Sequence, residues 1–205
     1  MSLINHTICM FGGSWPGDDE AYSAAARCLG RLTAELGWTL LYGGGGHGLM
    51  GQAARGALGA GGRVIGVVPE AMRHLEGSLN EGEEIILTRT LGDRKDRMVA
   101  ASAAFVVLPG GLGTFDEFFE VVTAAQLGFH GKPIVLVDVE DYFTPLIDLL
   151  RKAVSKGFAP DVVFRRFTIV KTPEAAVELL STILTGSRSD DAGGDPIGTI
   201  GSLAP

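Results

Sequence analysis

Ala104-Phe105-Val106-Val107-Leu108-Pro109-Gly110-Gly111-Leu112-Gly113-Thr114-Phe115-Asp116-Glu117 passes from an apolar, β-rich run through a glycine loop into a helix-like stretch. The three glycines let the backbone approach an anion closely. Free N–H groups and the positive dipole end of the following helix favour negative charge at that point. Thr114 can cap this helix or donate its hydroxyl to a phosphate. Glu117 stands three residues beyond Thr114, the spacing of a capping box, in which its carboxylate would hold the Thr114 backbone N–H. It is also a carboxylate one turn from a phosphate cradle, and the segment by itself leaves both roles open.

Outward from this stretch, short apolar runs alternate with longer helix-like segments. The runs are Ile4 to Phe11, Thr39 to Tyr42, Val64 to Val68, Glu84 to Thr88, Ala104 to Leu108, Ile134 to Val137 and Thr168 to Val170. Between them lie Glu20 to Leu36, Leu49 to Leu58, Arg94 to Ser102, Phe115 to Leu127 and Tyr142 to Lys156, with a last helix from Pro173 to Leu184. The alternation predicts an α/β fold, a doubly wound, mostly parallel sheet with helices on both faces. One domain is expected over residues 1–184. From 185 to 205 the chain turns rich in Gly, Ser, Asp and Pro, which predicts a flexible tail outside the core.

At 205 residues and 46% hydrophobic composition, the chain can bury a large core. No run of about 18 apolar residues predicts a membrane span, and the N-terminus has no signal-peptide pattern, so the cytoplasm is the expected compartment. Cys9 and Cys28 have neither metal-ligand spacing nor a disulfide framework, and both read as buried thiols. A net charge of −7 argues against a nucleic-acid partner, whose binding surface is usually basic. It leaves room for a small anionic ligand, because backbone amides hold phosphate whatever the global charge.

Ligands of doubly wound sheets bind beyond the carboxyl ends of the strands, so the loops after the apolar runs are where chemistry is sought. Gly12-Gly13-Ser14 follows the first run. Gly43-Gly44-Gly45-Gly46-His47-Gly48 follows the second and satisfies G-x-G-x-x-G from Gly43 through Gly45 to Gly48. A dinucleotide fingerprint normally follows the first strand and has an acid about 20 residues on, so this loop reads instead as a close approach of backbone to a nucleotide or its sugar. His47 has no identifiable partner and reads as a loop hydrogen-bonder. Gly92-Asp93-Arg94-Lys95-Asp96-Arg97 opens another helix. It is either a solvated charged face or a place where Arg94 turns its rigid guanidinium fork into the cleft.

Taken together, Phe11-Gly12-Gly13-Ser14, Tyr42-Gly43-Gly44-Gly45 with Gly48-Leu49-Met50-Gly51, Arg94-Lys95, and Pro109-Gly110-Gly111-x-Gly113-Thr114-x-x-Glu117 resemble the Lonely-guy family in order and spacing. These are cytokinin riboside 5'-monophosphate phosphoribohydrolases, often mislabelled lysine decarboxylases. The resemblance continues through Ala125-Gln126-Leu127-Gly128-x-His130-x-Lys132-Pro133 and covers roughly residues 4–184. It implies a Rossmann-like fold, usually a homodimer. The implied reaction is hydrolysis of the N-glycosidic bond of a purine nucleoside 5'-monophosphate to free base and ribose 5-phosphate. Glu117 and Arg94 would be the catalytic pair. Substrate contacts are implied at Gly12, Ser14, Gly44, Gly45, Glu76, Arg94, Lys95, Gly111, Leu112, Gly113, Thr114 and Thr123, with phosphate on the Gly111 to Thr114 amides and the Thr114 hydroxyl. Leu91-Gly92 departs from the family's Met-His ahead of the Arg-Lys pair, a departure that bears on the base or prenyl group.

The chemistry fits this inventory. Cleaving a glycosidic bond builds positive charge on the ribose, so a carboxylate beside the anomeric carbon stabilises the transition state and can direct a water. No metal or cofactor is needed for it. A pyridoxal-phosphate decarboxylase would need a Schiff-base lysine with partners for the cofactor ring, an arrangement not evident here. The alternative is a nucleotide or phosphorylated-cofactor carrier that uses the same cradle without turnover.

Overall fold

The computed structural model describes residues 6–73 and 80–186. Seven strands, β1 (Thr7–Phe11), β2 (Thr39–Tyr42), β3 (Val64–Pro69), β4 (Glu84–Thr88), β5 (Ala104–Val107), β6 (Ile134–Val137) and β7 (Thr168–Val170), alternate with helices. The helices are α1 (Glu20–Glu35), α2 (Gly48–Gly59), α3 (Leu91–Ala101), α4 (Leu112–Gln126), α5 (Thr144–Ser155) and α6 (Pro173–Gly186). The seven strands form one sheet in the order β4-β3-β2-β1-β5-β6-β7, and every pairing is parallel. This is the doubly wound α/β architecture expected from the alternation, and among the described residues no helix is long and apolar enough to cross a membrane.

Burial on both faces makes the five inner strands near-continuously apolar, and the period of two divides their side chains between two cores. In β1, Ile8 and Met10 point into a core shared with Leu29 of α1, Ala53 of α2 and Leu180 of α6. Cys9 and Phe11 point the other way, into a core shared with Met98 of α3, Phe118 of α4 and Ile147 of α5. Phe118 is thus core, whereas its neighbour Phe119 is 37% exposed. Cys9 is buried as expected, but Cys28 is only half-buried, its thiol donating to Glu174 Oε1 at 3.0 Å.

Several helix boundaries differ from expectation for local reasons. Helix α3 starts at Leu91, three residues early, because the Thr90 hydroxyl caps it by accepting the Asp93 N–H at 3.0 Å. Helix α4 starts at Leu112, with Gly111 rather than Thr114 at its cap position. Helix α6 extends to Gly186, two residues into the expected tail, and the rest of that tail lies outside the described residues.

Chain order reverses between β1 and β5, which pair side by side while successive strands wind outward on either flank. A crevice forms beyond the carboxyl ends of such a pair, where the two following loops diverge. Those loops are Gly12-Gly13-Ser14 and Leu108 to Gly111. They are stitched together by Gly13 N–H donating to Pro109 O at 2.9 Å and Leu108 N–H donating to Phe11 O at 2.8 Å.

Candidate active site

The crevice opens into a cleft of about 630 Å³. Gly12 and Ser14 line it from the loop after β1, and Gly111, Leu112, Gly113 and Thr114 from the loop after β5 and the first turn of α4; Arg94 and Glu117 complete the polar wall.

Two of the helix starts at the cleft, those of α2 and α4, differ in one respect that decides which can hold an anion. At α2, below the G-x-G-x-x-G loop, the Leu49 and Met50 N–H groups donate to Gly13 O at 2.9 and 3.3 Å, so the protein itself satisfies that terminus. At α4 the first intrahelical bond runs from Phe115 N–H to Gly111 O at 3.1 Å, and the amides of Leu112, Gly113 and Thr114 precede it. Those amides, with the helix dipole behind them, form an anion cradle.

The placement of Thr114 and Glu117 corrects the capping-box reading. Thr114 is the third residue of α4, buried with its hydroxyl packed back under Gly110, where a Cβ would lie 2.1 Å from Thr114 Oγ1. Glu117 falls in the second turn, too far along the helix to reach its start. Its Oε1 instead lies 3.1 Å from Arg94 Nη2, with the two side chains only 9% and 13% exposed. Arg94 Nε also donates to Val67 O at 3.2 Å. Its guanidinium crosses Gly43, where a Cβ would stand 1.9 Å from Nη2. Only glycine leaves that path open.

Burial pushes the Glu117 carboxyl up to about 7, against the pull of Arg94, with Asp116 adding to the rise. Desolvation outweighs the ion pair because the carboxylate loses nearly all its water and gains one charged partner. The result is a carboxyl poised to gain or lose a proton near neutrality.

Other expected contacts lie elsewhere. Lys95 is spent on the outer side of α4, 3.0 Å from Asp116 and paired with Glu120, a strong local neutralisation that keeps it away from the cleft. Thr123 is on an exposed face of α4, about two and a half turns past Thr114 and outside the cleft wall. Gly44 and Gly45 also lie outside that wall, Gly45 O being 3.1 Å from the buried Tyr42 hydroxyl. Glu76 lies outside the described residues. His47 precedes α2 without a side-chain capping bond.

Sequence patterns missed the apolar wall. Trp15, Tyr22, Met50 and Tyr142 line the cleft, with Trp15 83% exposed at its mouth. Tyr142 follows β6 across a short turn, so the rule that ligands sit beyond strand carboxyl ends was the signal that could have found it.

Comparison with known proteins agrees with this geometry. Residues 50–180 match the family described as possible lysine decarboxylase. The cleft has no lysine among its described lining residues, so the donor set does not fit a pyridoxal-phosphate Schiff base. The chain is 41% identical over 169 residues to the probable cytokinin riboside 5'-monophosphate phosphoribohydrolase LOGL5 of Oryza sativa subsp. japonica, covering 82% of this chain and 68% of that one. It is 37% identical over 172 residues to the cytokinin riboside 5'-monophosphate phosphoribohydrolase of Rhodococcoides fascians, covering 83% and 87%. Among solved structures, the molybdenum cofactor binding protein of Rippkaea orientalis superposes with a TM-score of 0.67 at 26% identity, over 89% of this chain and 99% of that one. The shared motifs, the matched family and relatives of this identity and coverage lead to one assignment: the chain belongs to the Lonely-guy family of cytokinin riboside 5'-monophosphate phosphoribohydrolases.

Proposed function

We propose that this protein hydrolyses the N-glycosidic bond of purine riboside 5'-monophosphates of the cytokinin type, releasing free base and ribose 5-phosphate. The observation that carries the reading is the buried Arg94–Glu117 pair in the same cleft as the unspent amides of α4. The phosphate sits on the amides of Gly111 to Thr114, where binding energy remote from the reacting bond fixes the sugar. Glu117 faces the anomeric carbon, stabilises the positive charge that develops on the ribose and takes a proton from the attacking water. Arg94 holds Glu117 in place and stabilises charge on the departing base.

A carrier needs the cradle but not a buried carboxyl poised near neutrality, so Glu117 favours turnover over the carrier alternative. A homodimer in the cytoplasm completes the reading. Exposed Leu91, Leu112 and Leu127 on α3 and α4 and at the end of α4 support self-association, and a phosphorylated substrate that does not cross membranes supports the compartment.

Incubation with AMP and with isopentenyladenosine monophosphate, following base and ribose 5-phosphate by chromatography, tests the reading. Preferred release from the prenylated nucleotide establishes cytokinin activation, and release from AMP alone makes the protein a general nucleotide hydrolase. Binding of both without release returns the carrier alternative.

A further inference from the structure

The loop after β6 is built to deliver one hydroxyl to the anion cradle. Glu140 and Asp141, neither of them glycine, both adopt left-handed backbone, with φ of 49° and 57°. Two such residues in succession are uncommon and persist only where surrounding structure holds them. Here Asp138, 5% exposed, accepts the Phe143 N–H at 2.7 Å and Lys171 Nζ at 2.6 Å, and Asp141 Oδ1 takes the same ammonium at 2.5 Å. The frame ends in Tyr142. Its ring meets Phe143 and Tyr22 edge-on at 5.0 and 6.0 Å, and its hydroxyl donates to Gly110 O at 2.5 Å.

Gly110 is where that bond matters. A Cβ there would stand 2.1 Å from Thr114 Oγ1 and 2.7 Å from Gly13 N, so crowding requires glycine. The next residue is also glycine, and a Gly–Gly peptide has no side chain to fix its plane. In a trans peptide the carbonyl oxygen and the N–H point in opposite directions. A phenol holding Gly110 O therefore also sets the direction of the Gly111 N–H.

We propose that Tyr142 is a positioning residue that locks the Gly110–Gly111 peptide so that the Gly111 N–H joins the Leu112 to Thr114 amides in facing the substrate phosphate. A peptide turned the other way would aim the Gly110 carbonyl at the anion. The proposal rests on the phosphate site of the proposed function, and it assigns Tyr142 to recognition of the monophosphate, with no part in breaking the glycosidic bond.

Tyr142→Phe keeps the ring and removes the hydroxyl. KM for AMP should rise about 10-fold, the effect of losing one hydrogen bond's worth of orientation, while kcat stays within about 3-fold. Ribose 5-phosphate affinity, measured by calorimetry, should fall by the same factor, whereas kcat/KM for adenosine, which has no phosphate, should not move. Lys171→Met, which loosens the frame from outside the cleft, should shift KM in the same direction and decides the matter if Tyr142→Phe fails to fold. Unchanged ribose 5-phosphate affinity in both variants, or an equal loss with adenosine and AMP, overturns the assignment. If the parent binds ribose 5-phosphate but leaves both AMP and isopentenyladenosine monophosphate intact, the hydrolase reading fails and the affinity measurement still decides the role of Tyr142.

Discussion

Arg94 reaches Glu117 across Gly43: its Nη2 lies 3.1 Å from the carboxylate and occupies the place a Cβ on residue 43 would take. The catalytic pair of the proposed function thus depends on a loop whose glycines lie outside the cleft wall. The loop after β2 and helices α3 and α4 converge on one buried charge pair.

Gly43→Ala should displace the guanidinium while leaving the fold standing, because the obstruction is the mobile end of a side chain rather than backbone. Loss of a charged hydrogen bond is worth roughly 1.5–3 kcal/mol, so kcat/KM for the nucleotide should fall about 10- to 100-fold. Melting should stay within a few degrees of the parent. An unchanged kcat/KM would mean that Arg94 has room to act from another position.

Activity should rise with pH through the ionisation of Glu117. If the carboxylate form acts, kcat/KM climbs through an apparent value near 7 and levels off above it, since burial pushes the group up to about 7. The substrate phosphate titrates near ~6 and would give a limb about one unit lower. A rate that falls above neutrality would assign Glu117 as a proton donor instead.

The same burial gives a stability prediction of definite sign. With a folded value near 7 against an ordinary 4.5, the folded state binds the proton more tightly. The contribution of Glu117 is fully present below 4.5 and is lost as pH rises through about 7. The whole displacement amounts to roughly 3 kcal/mol. Glu117→Gln, which keeps an oxygen for Arg94, should therefore gain stability relative to the parent as pH rises from 5 to 8. Denaturation at both pH values reads the difference, with the other titrating groups cancelling. A constant difference would mean that Arg94 offsets the desolvation in full.

Strands β1, β2, β3, β5 and β6 were legible because nearly every residue in them is buried, and the largely exposed edge strands β4 and β7 were legible from their β-branched residues; Thr39–Tyr42, Glu84–Thr88, Ile134–Val137 and Thr168–Val170 match the apolar runs residue for residue. Of the candidate site, the cleft-lining glycine loops after β1 and β5, with Arg94 and Glu117 in the helices beside them, were legible because they lie beyond strand ends, whereas the glycine loop after β2 lies outside the cleft wall. The role of Glu117 was ambiguous because a capping box and an ion pair with a residue 23 positions away produce the same local pattern. Lys95 was misplaced for a related reason. Its neighbour Arg94 faces the cleft, and one residue further along a helix the side chain turns about 100° away, here onto Asp116 and Glu120. The position of Tyr142 beyond β6 could have been read, but its bond to Gly110 could not, because that carbonyl is 32 residues distant and carries no side chain.

A last prediction separates support of the fold from support of the site. Helices α1 and α2 cross through glycines: a Cβ on Gly30 would stand 1.9 Å from Ala53 O, and one on Gly56 would stand 2.1 Å from Arg27 O. Unlike the neighbour of Gly43, these obstructions are backbone and cannot swing aside. Alanine in a helix gains up to about 1 kcal/mol over glycine. Forcing two helices apart costs about 1–3 kcal/mol or more, and the close approach here puts the loss at the upper end. Gly30→Ala and Gly56→Ala should each lower the melting temperature by several degrees, at about 2–4 °C per kcal/mol for a chain of this size. KM and kcat of the folded fraction should stay at the parent values, because the crossing lies on the face of the sheet opposite α3 and α4, which carry Arg94 and Glu117. An alanine variant that melts with the parent would show that the two helices can separate without disturbing the core beneath them.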